Sequence, residues 1–198
     1  VELTEIHYVA SVSTNPVSPF VSWPTAATNI QDAVNVAKRG DTVLVSYGVY
    51  DSGGGLVSGG LINRLVITNA VEVRSVEGPD RTIIEGKSGT DSPMRCVFLG
   101  EEALLAGFTL RRGCTRQGNP KNIYVEEPDL MGGGAYIDSG TLSNCVIMHC
   151  RAFSFGGGVR GGRLLNCRVM WNTAYYGGGV SKSTLLASEV KYNSGREE

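Results

Sequence analysis

The chain repeats with a period too short to hold a helix. Three glycine triplets, Gly132-Gly133-Gly134, Gly156-Gly157-Gly158 and Gly177-Gly178-Gly179, each precede a small apolar residue: Ala135, Val159 and Val180. A second unit follows each triplet, reading L-S-N-C-V-I from Leu142, L-L-N-C-R-V from Leu164 and L-L-A-S-E-V from Leu185, with the leucines 22 and then 21 residues apart. One such unit cannot bury its apolar face alone. Stacked copies can, and the spacing predicts a solenoid of strands and turns. A leucine-rich repeat has a similar period, but it needs an L-x-x-L-x-L-x-x-N unit; here the back of the unit is a glycine triplet followed by another strand.

Alternation within a unit assigns faces. Leu142, Cys145 and Ile147 point inward, as do Leu164, Cys167 and Val169, then Leu185, Ser188 and Val190. Asn144 and Asn166 fall at the bend, where stacked amides can bond to each other and to the turn backbone; Ala187 breaks that ladder. Val146, Arg168 and Glu189 form an outward column in which Arg168 and Glu189 can pair across coils. Leu105 to Leu110 matches Leu142 to Ile147 from 37 residues upstream, so about 15 residues are inserted, and they fall in the polar stretch 114–131.

The first 50 residues differ. His7 to Ala10 reads as a strand. Thr28, with Gln31 three residues on, reads as a capping box opening a helix from Asn29 to Lys38, closed by Gly40. Asp41 to Val45 reads as a further strand. The expected organisation is a cap over 1–50, continuous with coils over 51–198. The cap would shield the apolar end and unpaired strand edges of the solenoid. At the other end nothing after Asn193 resembles a cap. The expectation there is a truncated or longer solenoid, or an end that pairs with another chain.

The charge balance, 18 basic against 19 acidic residues, supplies no field to attract nucleic acid. No apolar run approaches the roughly 20 residues that a membrane-spanning helix needs. Five cysteines occur without a C-x-x-C pair, which disfavours zinc. Cys145 and Cys167 share a repeat position and are expected to stack as free thiols in the core. The chain begins at Val1 and no signal peptide is visible.

Together these residues resemble the right-handed parallel β-helix repeats of the pectin-lyase-like superfamily. The opening H-Y-V-A-S, the helix W-P-T-A-A-T-N-I-Q-D-A-V and the strand G-D-T-V-L-V-S-Y-G-V-Y look like an N-terminal cap. R-S-V-E-G-P-D-R-T-I-I-E-G from Arg74 looks like a first regular rung, and the N-C-x-[IV] and G-G-G-[AV] units look like later ones. The resemblance covers nearly the whole chain. It implies an all-β solenoid whose cap carries one short α-helix, and an extracellular or cell-surface protein that engages polysaccharide, as part of a lyase or glycoside hydrolase. The alternative is a non-catalytic adhesion or spacer module.

Lyases of that superfamily use Ca²⁺ held by carboxylates together with an Arg or Lys base, and its hydrolases use clustered Asp. No outward column here stacks two carboxylates. The nearest acidic cluster, Glu126, Glu127 and Asp129 in the insertion, is a weak candidate for Ca²⁺, and a solvated loop is its commoner reading. Aromatic columns are more suggestive. His149, Trp171 and Tyr192 share one repeat position, Phe153 and Tyr175 another, with Tyr176 alongside and Arg151 and Arg160 nearby. Rings beside cations could form a sugar platform, with Arg151, Arg160, Trp171, Tyr175 and Tyr176 as candidate contacts. Plain ring stacking that stiffens a turn is the competing reading.

Overall fold

A computed structural model describes residues 4–57, 59–89 and 91–195. After β1 (Ile6–Val9) and helix α1 (Ile30–Val36), the described chain winds through six coils. The first holds β2 (Thr42–Val45), β3 (Gly48–Tyr50) and β4 (Ile62–Ile67). The second holds β5 (Glu72–Ser75), β6 (Thr82–Glu85) and β7 (Met94–Leu99). The third holds β8 (Leu104–Ala106), β9 (Thr109–Arg111) and β10 (Ala135–Ile137). The fourth holds β11 (Thr141–Ser143), β12 (Val146–Met148) and β13 (Val159–Arg160). The fifth holds β14 (Arg163–Leu165), β15 (Arg168–Met170), β16 (Thr173–Ala174) and β17 (Val180–Ser181). The sixth holds β18 (Thr184–Leu186), β19 (Glu189–Lys191) and β20 (Ser194–Gly195).

Strands stack coil on coil into three main sheets. The first runs β1-β2-β5-β8-β11-β14-β18, the second β3-β6-β9-β12-β15-β19 and the third β4-β7-β10-β13-β17. Their pairings are parallel, with Leu105, Leu142, Leu164 and Leu185 in one register column. This is a parallel β-helix. The strands Thr42–Val45 and Gly48–Tyr50, expected in the cap, belong to the first and second sheets: Thr42–Val45 pairs with both β1 and β5, and Gly48–Tyr50 begins the second sheet.

The core is a set of inward columns. Val43, Val73, Leu105, Leu142 and Leu164 fill it from the first sheet, and Tyr50, Ile84, Leu110, Ile147 and Val169 from the second; all are buried. Full burial of one such side chain contributes roughly 1.5–3 kcal/mol. Cys145 and Cys167 are free and buried, as are the other three cysteines. Burial, with Cys167 alongside, pushes the Cys145 thiol well above the usual range, and it packs as a protonated, apolar group. In the sixth coil Leu185 and Val190 keep the inward register but are 39% and 38% exposed, because no coil among the described residues stacks on them. Residues 196–198 lie outside the described residues.

Glycine makes the tight stacking possible. Gly156 has φ +65°, where an L side chain is strained, and it turns the chain into the triplet. A Cβ on Gly157 would sit 2.3 Å from both Gly178 O and Thr173 O. The triplets hydrogen-bond to one another through Gly134 N to Gly158 O (2.9 Å) and Gly158 N to Gly179 O (3.0 Å).

The cap differs from expectation in two details. Asn29, not Thr28, caps α1: its Oδ1 accepts the Asp32 N–H at 3.0 Å and its Nδ2 donates to Asp32 Oδ2 at 2.7 Å. Gln31 is thereby free for another task. It accepts the Val66 N–H at 2.8 Å and donates to Val66 O at 3.1 Å, so one side-chain amide stands in for a neighbouring strand at the edge β4. The helix ends at Ala37, in extended conformation, and Gly40 (φ +90°) belongs to the turn that follows.

His7 sits beneath Val43 at the end of an inward column and is buried. Its Nδ1 lies 2.7 Å from Pro19 O and its Nε2 3.3 Å from Asp41 Oδ2. Asp41 also accepts the N–H groups of Glu5 (2.8 Å) and Lys38 (2.7 Å). Burial alone would raise the Asp41 pKa. The two backbone donors and His7 outweigh it, and the carboxyl titrates below its usual range.

Two outcomes follow. Gly157→Ala should destabilise by more than about 3 kcal/mol in urea unfolding, because backbone of the next coil must move; Gly78→Ala, with φ +80° and nothing within 4 Å of its Cβ, should cost only about 1 kcal/mol. Asp41→Asn should cost about 2 kcal/mol at neutral pH. Because the folded carboxyl titrates below its unfolded value of about 3.9, its contribution is complete above that pH and is lost as the pH falls through the folded pKa. Wild type and variant should therefore converge in acid, read by unfolding from pH 7 to pH 2.

Candidate functional site

The corner after each of the last four second-sheet strands is one residue in left-handed conformation: Arg112 (φ +57°), His149 (+54°), Trp171 (+55°) and Tyr192 (+57°). Bulky residues rarely adopt this region. The residues after Trp171 and Tyr192 explain its persistence. Buried Asn172 donates to Ile147 O at 2.9 Å and accepts the Cys150 N–H at 2.8 Å; Asn193 donates to Val169 O at 2.8 Å and accepts the Asn172 N–H at 2.9 Å. This asparagine ladder, with Asn172 buried and Asn193 half-buried, locks the bend. The ladder expected at Asn144 and Asn166 also forms, but it is exposed, with its one amide–amide bond at 3.4 Å.

Locked corners aim the rings in one column. His149 and Trp171 stack at 5.4 Å and 7°, Trp171 and Tyr192 at 6.0 Å and 13°. The stiffening reading of these rings is correct in part, since their faces cover one another. What they offer outward is ring edges, with Trp171 45% and Tyr192 68% exposed.

The column walls a groove of about 870 Å³ on the outer face of the second sheet. Ile83, Val146, Met148 and Met170 line its apolar floor. The opposite wall is the turn at Pro79-Asp80, held over the sheet by the Thr109 hydroxyl donating to Pro79 O at 2.7 Å. Arg111, Arg112 and Arg168 bring three cations to it. Glu85 pairs with Arg111 at 2.6 Å and with Arg112 at 3.4 Å, and Asp80 lies 4.0 Å from Arg168. The expected Arg168–Glu189 pair does not form. Glu189 instead takes Lys191 at 2.7 Å, two residues along its own strand. Val146 is buried rather than solvated, as part of the groove floor.

Of the five candidate contacts, the groove includes Trp171 alone. Arg151 and Tyr175 border a slot of only about 20 Å³, with Tyr175 packed edge-on to Phe153 at 5.4 Å. Tyr176 stacks on Phe155 on one side and on Tyr124 of the insertion on the other. Arg160 is 9% exposed and its Nε donates to Met131 Sδ at 3.3 Å. Repeat position grouped these residues, but the bend after Trp171 turns those beyond it onto another face. Arg111, Arg112 and Arg168 were missed as a set, although stepping one coil at a time along the outward positions would have assembled them.

Two of the three insertion carboxylates, Glu126 and Asp129, are engaged by the chain's own cations and backbone donors. Glu126 contacts Lys182 at 2.6 Å and Arg160 at 3.6 Å, and Lys182 holds its carboxyl below the usual range. Asp129 accepts the Gly60 and Leu61 N–H groups at 2.7 and 3.2 Å and lies 3.4 Å from Arg116. Glu127 contributes its backbone to the short helical turn Pro128–Leu130. The stretch is anchored from below by buried Arg95, which donates to Asn63 Oδ1 (2.6 Å), Gly132 O (2.8 Å), Met131 O (2.9 Å) and Pro128 O. Burial lowers the Arg95 pKa to about 10, so it remains a cation at neutral pH. Among the described residues no group of three His, Cys, Asp or Glu side chains is arranged to hold a metal, and no helix is long and apolar enough to cross a membrane.

Fold and site together define a parallel β-helix protein with a ring-walled groove on one sheet. Among solved structures it is similar to a rhamnogalacturonan lyase, with a TM-score of 0.48 and 11% identity over 94% of this chain and 62% of that one. The chain thus spans less than two thirds of that structure's length. No family model and no curated protein matches the sequence.

Asn172→Ala should cost about 2 kcal/mol in urea unfolding, since it leaves the buried Cys150 N–H without its acceptor.

Proposed function

We propose that this β-helix binds polysaccharide in the groove of the second sheet. One observation carries the reading: an apolar floor of Ile83, Val146, Met148 and Met170 lies beside a ring wall, with three arginines lining the same groove. An oligosaccharide needs that combination. Its C–H faces pack on apolar surface and its hydroxyls bond to fixed donors, and the guanidinium groups supply these in a planar fork. The groove crosses several coils, which suits an extended chain rather than a compact ligand.

Binding is the reading argued from the carboxylates near the groove. Glu85 is engaged by Arg111 and Arg112, and Asp80 lies beside Arg168. An arginine-paired carboxylate is held ionised and is a poorer proton donor or acceptor. This supports the non-catalytic reading, a secreted or cell-surface module that holds polysaccharide on a rigid scaffold. Lyase or hydrolase activity is the second reading, motivated by the sequence resemblance.

Against a panel of neutral and acidic glycans, the protein should bind at least one, and Trp171→Ala should weaken that binding roughly tenfold, the loss of one apolar wall contact. Retained affinity in the variant, or no binding across the panel, overturns the groove reading. A rise in ultraviolet absorbance on incubation with a uronate polymer would replace binding with lyase chemistry.

A further inference from the structure

A second, separate arrangement of rings and cations is already filled, by the chain itself. Phe155 and Tyr176 are bridged as parallel neighbours just before two glycine triplets, and their rings stack at 5.3 Å and 30°. Arg160 and Lys182 follow those triplets on adjacent coils. Onto them the insertion lays three consecutive residues. The Tyr124 ring stacks on Tyr176 at 4.5 Å and 23°, and Glu126 Oε1 lies 2.6 Å from Lys182 Nζ and 3.6 Å from Arg160 Nη2.

We propose that Phe155, Tyr176, Arg160 and Lys182 form a recognition site for an acidic-aromatic peptide, held shut in cis by Tyr124-Val125-Glu126. Three features carry this. First, the receiving residues stand on the ladder and do not depend on the strap: Gly156 N donates to Tyr176 O at 3.0 Å, and Arg160 pairs in register with Ser181. Second, the strap is held by side chains. Among the described residues, 117–126 make one backbone–backbone hydrogen bond, from Asn122 N to Asn119 O, within the strap itself. Tyr124 is 71% exposed even while stacked. Third, the site is charged. Arg160 is nine-tenths buried and Glu126 is the carboxylate it faces, so an incoming acid would take over that pairing when the strap lifts.

The seated segment states the ligand's chemistry. In an extended chain, residues two apart share a face, so a ring and a carboxylate at positions i and i+2 meet the ring pair and the cation pair together. A peptide is preferred to an acidic sugar because a peptide is what the site holds. A strap competing from within the molecule acts at millimolar effective concentration, so the closed protein should bind such a peptide poorly in trans.

The test uses the full chain and a fluorescent peptide, Asn-Ile-Tyr-Val-Glu-Glu-Pro, the sequence of residues 122–128. Anisotropy should show at least tenfold tighter binding to the Tyr124→Ala/Glu126→Gln variant than to wild type. Adding Lys182→Ala to that variant should abolish the gain, as should a peptide with Ala for Tyr and Gln for Glu. Thermal unfolding of each variant confirms that the scaffold persists, and Ser at both strap positions provides a second opened variant. Trp171→Ala should leave peptide binding unchanged, so this result reads independently of the groove. Equal binding by closed and opened proteins overturns the proposal, as does no binding by either opened variant. Binding of an oligogalacturonate in place of the peptide also overturns it, and makes the site one for acidic sugar.

Discussion

Everything in this molecule depends on one spacing. Parallel strands in neighbouring coils lie about 4.8 Å apart, so each residue is stacked on the residue one coil away. A side chain can therefore be chosen only if its like can follow it. Leucines stack inward, rings stack at one corner, amides stack just inside that corner, and glycine stacks where two backbones come too close for a Cβ. The glycine triplets mark the last case. They stand where the return strand crosses beneath the next coil, and their carbonyls approach the space a Cβ would need to within 2.7 Å or less.

The same rule explains what could be read in advance. Period, register and the inward set Leu142, Cys145 and Ile147 are properties of the repeat, and the ladder reproduces them residue for residue. The 37-residue offset to Leu105 also holds, as the Leu105–Leu142 pairing. What was not legible arises where the chain departs from self-stacking. Gln31 looks like a capping residue in sequence because it stands three after Thr28. Its partner, Val66, is 35 residues distant and becomes adjacent only when α1 packs on the edge of the third sheet. The true cap, Asn29 with Asp32, is shifted by one residue, since Asn is at least as good an N-cap as Thr and leaves Gln31 for the sheet edge.

The candidate site was half legible for the same reason. The column His149, Trp171 and Tyr192 could be read from the period, because corners repeat with the coil. The face it serves could not. Whether a ring belongs with Arg168 or with Tyr175 depends on the direction of the bend, and left-handed residues at Trp171 and Tyr192 set that direction. The floor residues Val146, Met148 and Met170 are apolar on an outward face, which a reading of alternation assigns to solvent. They become the floor of a groove because the turn held by Thr109 overhangs them.

Charge placement separates a structural cation from one available to a ligand. Arg95 and Arg160 are comparably buried, yet their surroundings differ. Arg95 is satisfied by three backbone carbonyls and the Asn63 amide oxygen. Arg160 has one donor on a methionine sulfur, a weak acceptor, and turns another toward a carboxylate that stands on a strap without backbone ties. A guanidinium held so lightly by its own scaffold is open to pairing with an acid. The chain supplies that acid from a segment it can withdraw, so the stability of the closed strap and the selectivity of the site beneath it rest on the same ion pair.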